Sequence, residues 1–168
     1  GNVETALDLG CGTGVCSLAA LELTDANIIS ADIDREALDF FSQIVTEKKL
    51  ESRVSLIDKS IFEINLEENS CDLIIAEGIF HLTGFEKSIR YFTGILKKDG
   101  YMLIHDEIKD MEIKMKIFRE NRLELISRID IGVNEWKKYI NCLKSEIDNL
   151  EKRKINNVDT AHEKSEIN

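Results

Sequence analysis

The sequence predicts an α/β fold: a doubly wound, mainly parallel sheet with helices on both faces. Three observations predict it. Short apolar runs alternate with stretches of helical periodicity from the first residues onward. A glycine-rich loop, Gly10-Cys-Gly-Thr-Gly14, joins the first such run to the first helical stretch. The run Cys71-Asp-Leu-Ile-Ile-Ala76 is almost continuously apolar, as a strand covered on both faces must be.

The elements follow in order. Thr5–Leu9 reads as a first strand and residues from about Val15 to Leu23 as a helix. Asn27–Ile33 is a second strand. Arg35 to Lys49 places Leu38, Phe41, Ile44 and Val45 on one helical face. Val54–Asp58 is a third strand and Cys71–Ala76 a fourth. Phe85 to Lys97 is a helix, Asp99-Gly100 a turn, and Tyr101–His105 a fifth strand. Asp110 to Asn121 is a helix. Leu123 to Ile131 alternates Leu, Leu, Ser, Ile and Ile on one face and reads as a sixth strand. Asn134 to Lys154 reads as a last helix, with Trp136, Tyr139, Ile140, Leu143, Ile147 and Leu150 on one stripe. That stripe has three uses open to it: packing on the sheet, capping a pocket, or forming a homodimer. Residues 1–154 read as one domain and residues 155–168 as a polar tail.

Composition narrows the function. The chain has 168 residues, 43% hydrophobic and 32% charged, with a net charge of −10 and no proline. That is enough apolar material for one sizeable core. The sequence has no apolar run long enough to span a membrane and no basic-then-apolar leader, so the reading is a cytoplasmic protein with no membrane partner. Residues 1–34 hold six carboxylates (Glu4, Asp8, Glu22, Asp25, Asp32 and Asp34) and no Lys or Arg. Such a strip repels polyanions, so no nucleic-acid partner is expected. Cys11, Cys16, Cys71 and Cys142 form no C-x-x-C pair, which leaves reduced thiols and no zinc site. His105-Asp106-Glu107 are three neighbours that cannot converge from a strand, so no metal is assigned.

The loop carries the chemistry. In an open parallel sheet, ligands sit beyond the carboxyl ends of the strands, where the strand order reverses. Gly10, Gly12 and Gly14 let a ligand lie against the backbone there. The dinucleotide fingerprint fails, because Val15 stands where its third glycine belongs. A phosphate-binding loop fails too, since no Gly-Lys-Ser/Thr follows. Asp8 precedes the loop with no base nearby; it repels a pyrophosphate and attracts an ammonium or sulfonium, or else it only orders the loop. Asp32 stands at the tip of the second strand, 22 residues after Gly10. A carboxylate there accepts both hydroxyls of a ribose.

These residues resemble the class I S-adenosylmethionine-dependent methyltransferases over about Thr5 to Asp106, more than half the chain. Ala6-Leu-Asp-Leu-Gly-Cys-Gly-Thr-Gly14 is similar to the first motif, and Ser30-Ala-Asp-Ile-Asp-Arg-Glu-Ala-Leu38 to the second. Val54-Ser-Leu-Ile-Asp-Lys59 resembles the third, and Cys71-Asp-Leu-Ile-Ile-Ala-Glu-Gly-Ile-Phe-His-Leu82 the fourth. Leu96-Lys-Lys-Asp-Gly-Tyr-Met-Leu-Ile104 resembles the family's turn into strand five, with Lys98 and Asp99 where proline and glycine are usual. The resemblance implies a Rossmann-like methyltransferase fold and S-adenosylmethionine as cofactor, with S-adenosylhomocysteine as product. It implies cofactor-binding roles for Asp8, Gly10, Cys11, Gly12, Gly14, Asp32 and Ile33, and for Asp58, Lys59 and Glu77.

Two departures stand out. The family's helices before strand one have no counterpart ahead of Thr5, and no seventh strand follows Ile131, so the C-terminal part reads as abbreviated. No catalytic residue is assigned; Glu77, His81, His105 and Asp106 all follow strands four and five, near the expected mouth. The expected function is methyl transfer to a small molecule. A non-enzymatic module binding the same cofactor, and a nicotinamide-dependent oxidoreductase, are the alternatives.

Overall fold

The computed structural model describes residues 2–135, 137, 138 and 141. Its elements are β1 (Thr5–Leu9), α1 (Val15–Leu23), β2 (Asn27–Asp32), α2 (Arg35–Glu47) and β3 (Val54–Asp58), followed by β4 (Cys71–Glu77), α3 (Phe80–Thr83), α4 (Phe85–Ile95), β5 (Leu96–His105) and α5 (Met111–Glu120). The strands form one sheet in the order β3-β2-β1-β4-β5, and every pairing is parallel. The order reverses between β1 and β4, so their carboxyl ends open the crevice the sequence predicts.

The period-two pattern sorts side chains between the two faces. Leu7, Leu9, Ile74 and Ala76 face one core, with Phe80, Ile89 and Phe92 of α3 and α4. Their neighbours Ala6 and Ile75 face the other, with Ala20, Leu21, Leu38, Phe41 and Val45 of α1 and α2. Helices on both faces explain why β4 carries no alternation of apolar with polar residues. Asp34 caps α2, its side chain accepting from the Ala37 amide at 3.1 Å. Asp72 Oδ2 accepts from the Thr5 amide at 2.9 Å and from Lys97 Nζ at 2.9 Å. It thereby fastens the starts of β1 and β5 to β4, at the opposite end of the sheet from the crevice.

Three elements differ from expectation. β5 begins at Leu96, so Leu96 and Lys97 are strand rather than helix, and Asp99-Gly100 lies within the strand where its register with β4 shifts. Phe80–Thr83 is helical, although four residues are too few to show a period in the sequence. Leu123–Ile131 is not a strand: the residues carry no ladder and pair with no strand of the sheet. After α5 the Leu123 amide donates to Phe118 O at 2.9 Å, and Arg122 takes φ 59°. This is a helix-terminating turn. It folds Leu123 onto the core beside α5 rather than out along an edge. The alternation in this stretch therefore reflects sequence alone.

One compact unit ends at Leu125 and a second begins at Ile126. In the second, residues 133–135, 137, 138 and 141 are helical. Trp136, the rest of its stripe and the tail 155–168 lie outside the described residues, and with them the homodimer expectation. No helix among the described residues is long and apolar enough to cross a membrane.

Candidate cofactor and acceptor site

The loop after β1 is held by the neighbouring strand. The Gly10 and Cys11 amides both donate to Ala31 O, at 2.8 and 3.1 Å. This bends the chain sharply away from β1 and toward α1. Gly12 has φ +51°, and a Cβ placed there meets nothing within 4 Å, so open space lies over the loop. Gly14 has φ +85° and the opposite surroundings: a Cβ would sit 2.3 Å from the Phe41 ring. The first glycine leaves room for a ligand; the second lets α1 pack on α2.

Asp32 is the centre of the loop's polar side. Its Oδ2 accepts from the Gly12 amide at 2.7 Å, and its Oδ1 from the Asp34 amide at 2.9 Å. Each oxygen spends one lone pair on the backbone and keeps another for a sugar hydroxyl. Around it stand three other sequence-predicted residues. Ile33 is 74% exposed. Asp58 lies opposite Asp32 in the β2–β3 register and 3.6 Å from Arg35. The Lys59 amide donates to Asp32 O at 3.1 Å.

Asp8 and Cys11 point the other way. Asp8 is 1% exposed, and its Oδ2 accepts from Ser17 Oγ at 2.6 Å. Ser17 Oγ also lies 2.7 Å from Ser30 Oγ, which closes a buried polar chain beneath the loop. Burial pushes the Asp8 carboxyl up to about 6, against the pull of the Ser17 hydrogen bonds. Glu77 and Asp32 add negative charge that pushes it the same way. Burial likewise pushes the Cys11 thiol up to about 12. Sequence reasoning missed Ser17 and Ser30. The register was the available signal, because Ser30 is the direct partner of Asp8 across β1 and β2.

Beyond the carboxyl ends of β4 and β5 stand several chemistry-bearing side chains. Cys16, in the first turn of α1, donates its thiol proton to Glu77 Oε2 at 2.7 Å, across the switch point. The other carboxylate oxygen, Oε1, lies 3.7 Å from His105 Nδ1. His81, on α3, approaches Asp106, with Nδ1 3.6 Å from Oδ1. Asp106 Oδ2 lies 3.0 Å from Lys114 Nζ of α5. Ile79 presses its side chain against Gly10, whose missing Cβ would fall 3.1 Å away. That contact joins the α3 turn directly to the glycine loop. Cys16 and Lys114 were not singled out from the sequence. Among the described residues no three His, Cys, Asp or Glu side chains are grouped to hold a metal ion.

A family model described as a methyltransferase domain matches residues 2–160. The chain belongs to this family. In open parallel sheets generally, ligands sit where the strand order reverses, which in this chain is between β1 and β4. The chain is 26% identical over 132 residues to the ribosomal protein L11 methyltransferase of Ruminiclostridium cellulolyticum, covering 77% of this chain and 40% of that one. It shares its fold with the geranyl diphosphate C-methyltransferase of Streptomyces coelicolor, solved with S-adenosyl-L-homocysteine, at a TM-score of 0.65 and 14% identity. That likeness covers 76% of this chain and 54% of the other. It shares the fold equally with the cyclase SpnF, at a TM-score of 0.64 and 19% identity, over 76% of this chain and 53% of that one. The methyltransferase domain described here thus spans less than half the length of the L11 enzyme.

Proposed function

We propose that this domain binds S-adenosylmethionine in the β1–β4 crevice and transfers its methyl group to a small-molecule acceptor. The observation that carries the reading is Asp32: a half-buried carboxylate at the tip of β2, fixed by the Gly12 and Asp34 amides, beside a loop with open space over it. In this reading Asp32 accepts the ribose hydroxyls, and Ile33, Asp58 and the Lys59 backbone border the adenine. Gly10 and Gly12 offer bare backbone to the amino-acid portion. Glu77, half exposed at the tip of β4, supplies negative charge for its ammonium. When bound, the cofactor supplies a methyl group already activated by a positively charged sulfur. The protein's task is then to align the acceptor and exclude water, which contributes about 7–11 kcal/mol when orientation is good.

Substrate identity follows less directly. The L11 methyltransferase acts on a protein and the Streptomyces enzyme on geranyl diphosphate, by their names. The acidic strip of residues 1–34 supports a small neutral or cationic acceptor over a polyanion. A second reading is a non-enzymatic S-adenosylmethionine-binding module or partner subunit, since a fold by itself does not fix an activity.

Calorimetry with S-adenosylmethionine, S-adenosylhomocysteine and NADH tests the cofactor. Binding of the first two and not the third is expected; binding of NADH alone overturns the reading. Release of S-adenosylhomocysteine against a panel of small amines, alcohols and thiols, with lysine- and arginine-bearing peptides alongside, separates methyl transfer from binding alone and small acceptors from protein ones.

A further inference from the structure

The function proposed above leaves open what removes the acceptor's proton. Resting on that reading, we propose that His81 is the general base of this site and Asp106 its positioning residue. The acceptor is then one whose nucleophilic atom arrives carrying a proton, an alcohol, a thiol or an ammonium group.

Three relationships carry the inference. His81 lies on α3, and that turn is packed against the cofactor loop through Ile79 and Gly10. Its side chain is 37% exposed, so part of the ring is accessible. Its Nδ1 faces Asp106 Oδ1 at 3.6 Å, and that carboxylate is only 6% exposed. At this distance Asp106 acts on the ring as a charge rather than as a hydrogen-bond acceptor, and such contacts tighten when a substrate closes a site. A proton held on Nδ1 leaves Nε2, on the opposite side of the ring, as the free base.

Asp106 is itself fixed. Its Oδ1 accepts from the Glu107 amide at 2.8 Å, and Lys114 Nζ lies 3.0 Å from Oδ2. Lys114 in turn donates to Glu107 O and sits over the Phe85 ring, 5.0 Å from its centroid. The carboxylate set against His81 is Asp106, from the end of β5, and the cation set against Asp106 is Lys114, from α5. The lysine balances the carboxylate's charge.

In the step, the acceptor's X–H proton passes to Nε2 as its electron pair forms the new X–C bond. The C–S pair stays on sulfur, which leaves as a neutral thioether, and the imidazolium then gives its proton to solvent. No further reactant is needed.

The test needs no known acceptor. The imidazole resonances of the full chain are titrated by NMR, with His81 assigned from the spectrum of His81→Gln. Two complexes are compared: S-adenosylhomocysteine, and sinefungin, which carries a charged amine where the methyl would be. A base facing that position is expected to titrate lower in the sinefungin complex by about half a unit or more, since the added positive charge disfavours imidazolium. Asp106→Asn is expected to lower the same pKa by about one unit in both complexes. Binding of both nucleosides with an unmoved His81 overturns this inference and leaves the proposed function standing. Failure of both to bind overturns the proposed function, and the inference falls with it.

Discussion

Asp32 Oδ2 accepts the Gly12 amide proton at 2.7 Å, so the tip of β2 and the loop leaving β1 are one unit. The residue therefore shapes the loop, and in the proposed function it also offers oxygen to a sugar. Asp32→Ala is expected to weaken S-adenosylmethionine binding by about two to four decades, from two charge-assisted hydrogen bonds worth about 1.5–3 kcal/mol each. Circular dichroism should show the fold intact. Asp32→Asn keeps an acceptor for Gly12 and should lose less. Equal affinity for parent and alanine variant, measured by calorimetry, removes Asp32 from the site.

Gly12 and Gly14 separate binding from stability. At Gly14 an added Cβ meets Phe41 at 2.3 Å with φ at +85°, so Gly14→Ala is overpacked and strained at once. The expected loss is about 2–5 kcal/mol of folding stability. At Gly12 the same methyl enters open space, and only the left-handed backbone resists it, at about 1–2 kcal/mol. Gly12→Ala should instead reduce cofactor affinity, because the methyl occupies the space over the loop. Thermal melts and titrations of both variants check the crossover. A Gly12→Ala variant that melts far below parent yet binds normally would contradict it.

The sheet and its loop were legible because their signals are local. A continuous apolar run, such as that of β4, reports two covered faces, and glycines between strand and helix report a close backbone. The direction of Asp8 was not legible as a ligand contact or a buried brace, because either use puts an acid before the loop. The β1–β2 register decides it, by setting Asp8 opposite Ser30. Leu123–Ile131 misled for a related reason. Alternation fits a chain to become a strand, but a strand needs a neighbour to pair with, and the turn at Arg122 takes Leu123 elsewhere. The approach of His81 to Asp106 joins residues 25 apart in sequence, which no motif announced.

Cys16 and Glu77 report on each other across the crevice. Burial pushes the Cys16 thiol up to about 12, and the hydrogen bond it donates to Glu77 pushes the same way. The thiol is accordingly a poor nucleophile at neutral pH. Glu77→Gln removes the negative charge and keeps the side chain's shape, so alkylation of Cys16 by iodoacetamide at pH 8 should become several-fold faster. Peptide mapping by mass spectrometry distinguishes Cys16 from the other thiols. Added S-adenosylhomocysteine should slow the reaction in both proteins, since Cys16 borders the proposed site. A rate unchanged by the substitution would show that burial alone suppresses the thiol.

Asp8 makes folding stability depend on pH in an unusual direction for a carboxylate. Its folded value, about 6, lies above the 3.8 of the unfolded chain, chiefly through burial. The native state thus holds the proton more tightly, and the resulting stabilisation is complete below the unfolded value. It is lost as pH rises through the folded one. Asp8→Asn keeps an acceptor for Ser17 Oγ and cannot ionise. Its stability relative to the parent should therefore climb between pH 4 and pH 7, by at most about 3 kcal/mol at 1.36 kcal/mol per unit. Urea melts of the two proteins at pH 4, 5, 6 and 7 measure this. Parallel curves would mean that Asp8 titrates normally in the fold, and that water reaches the chain it forms with Ser17 and Ser30.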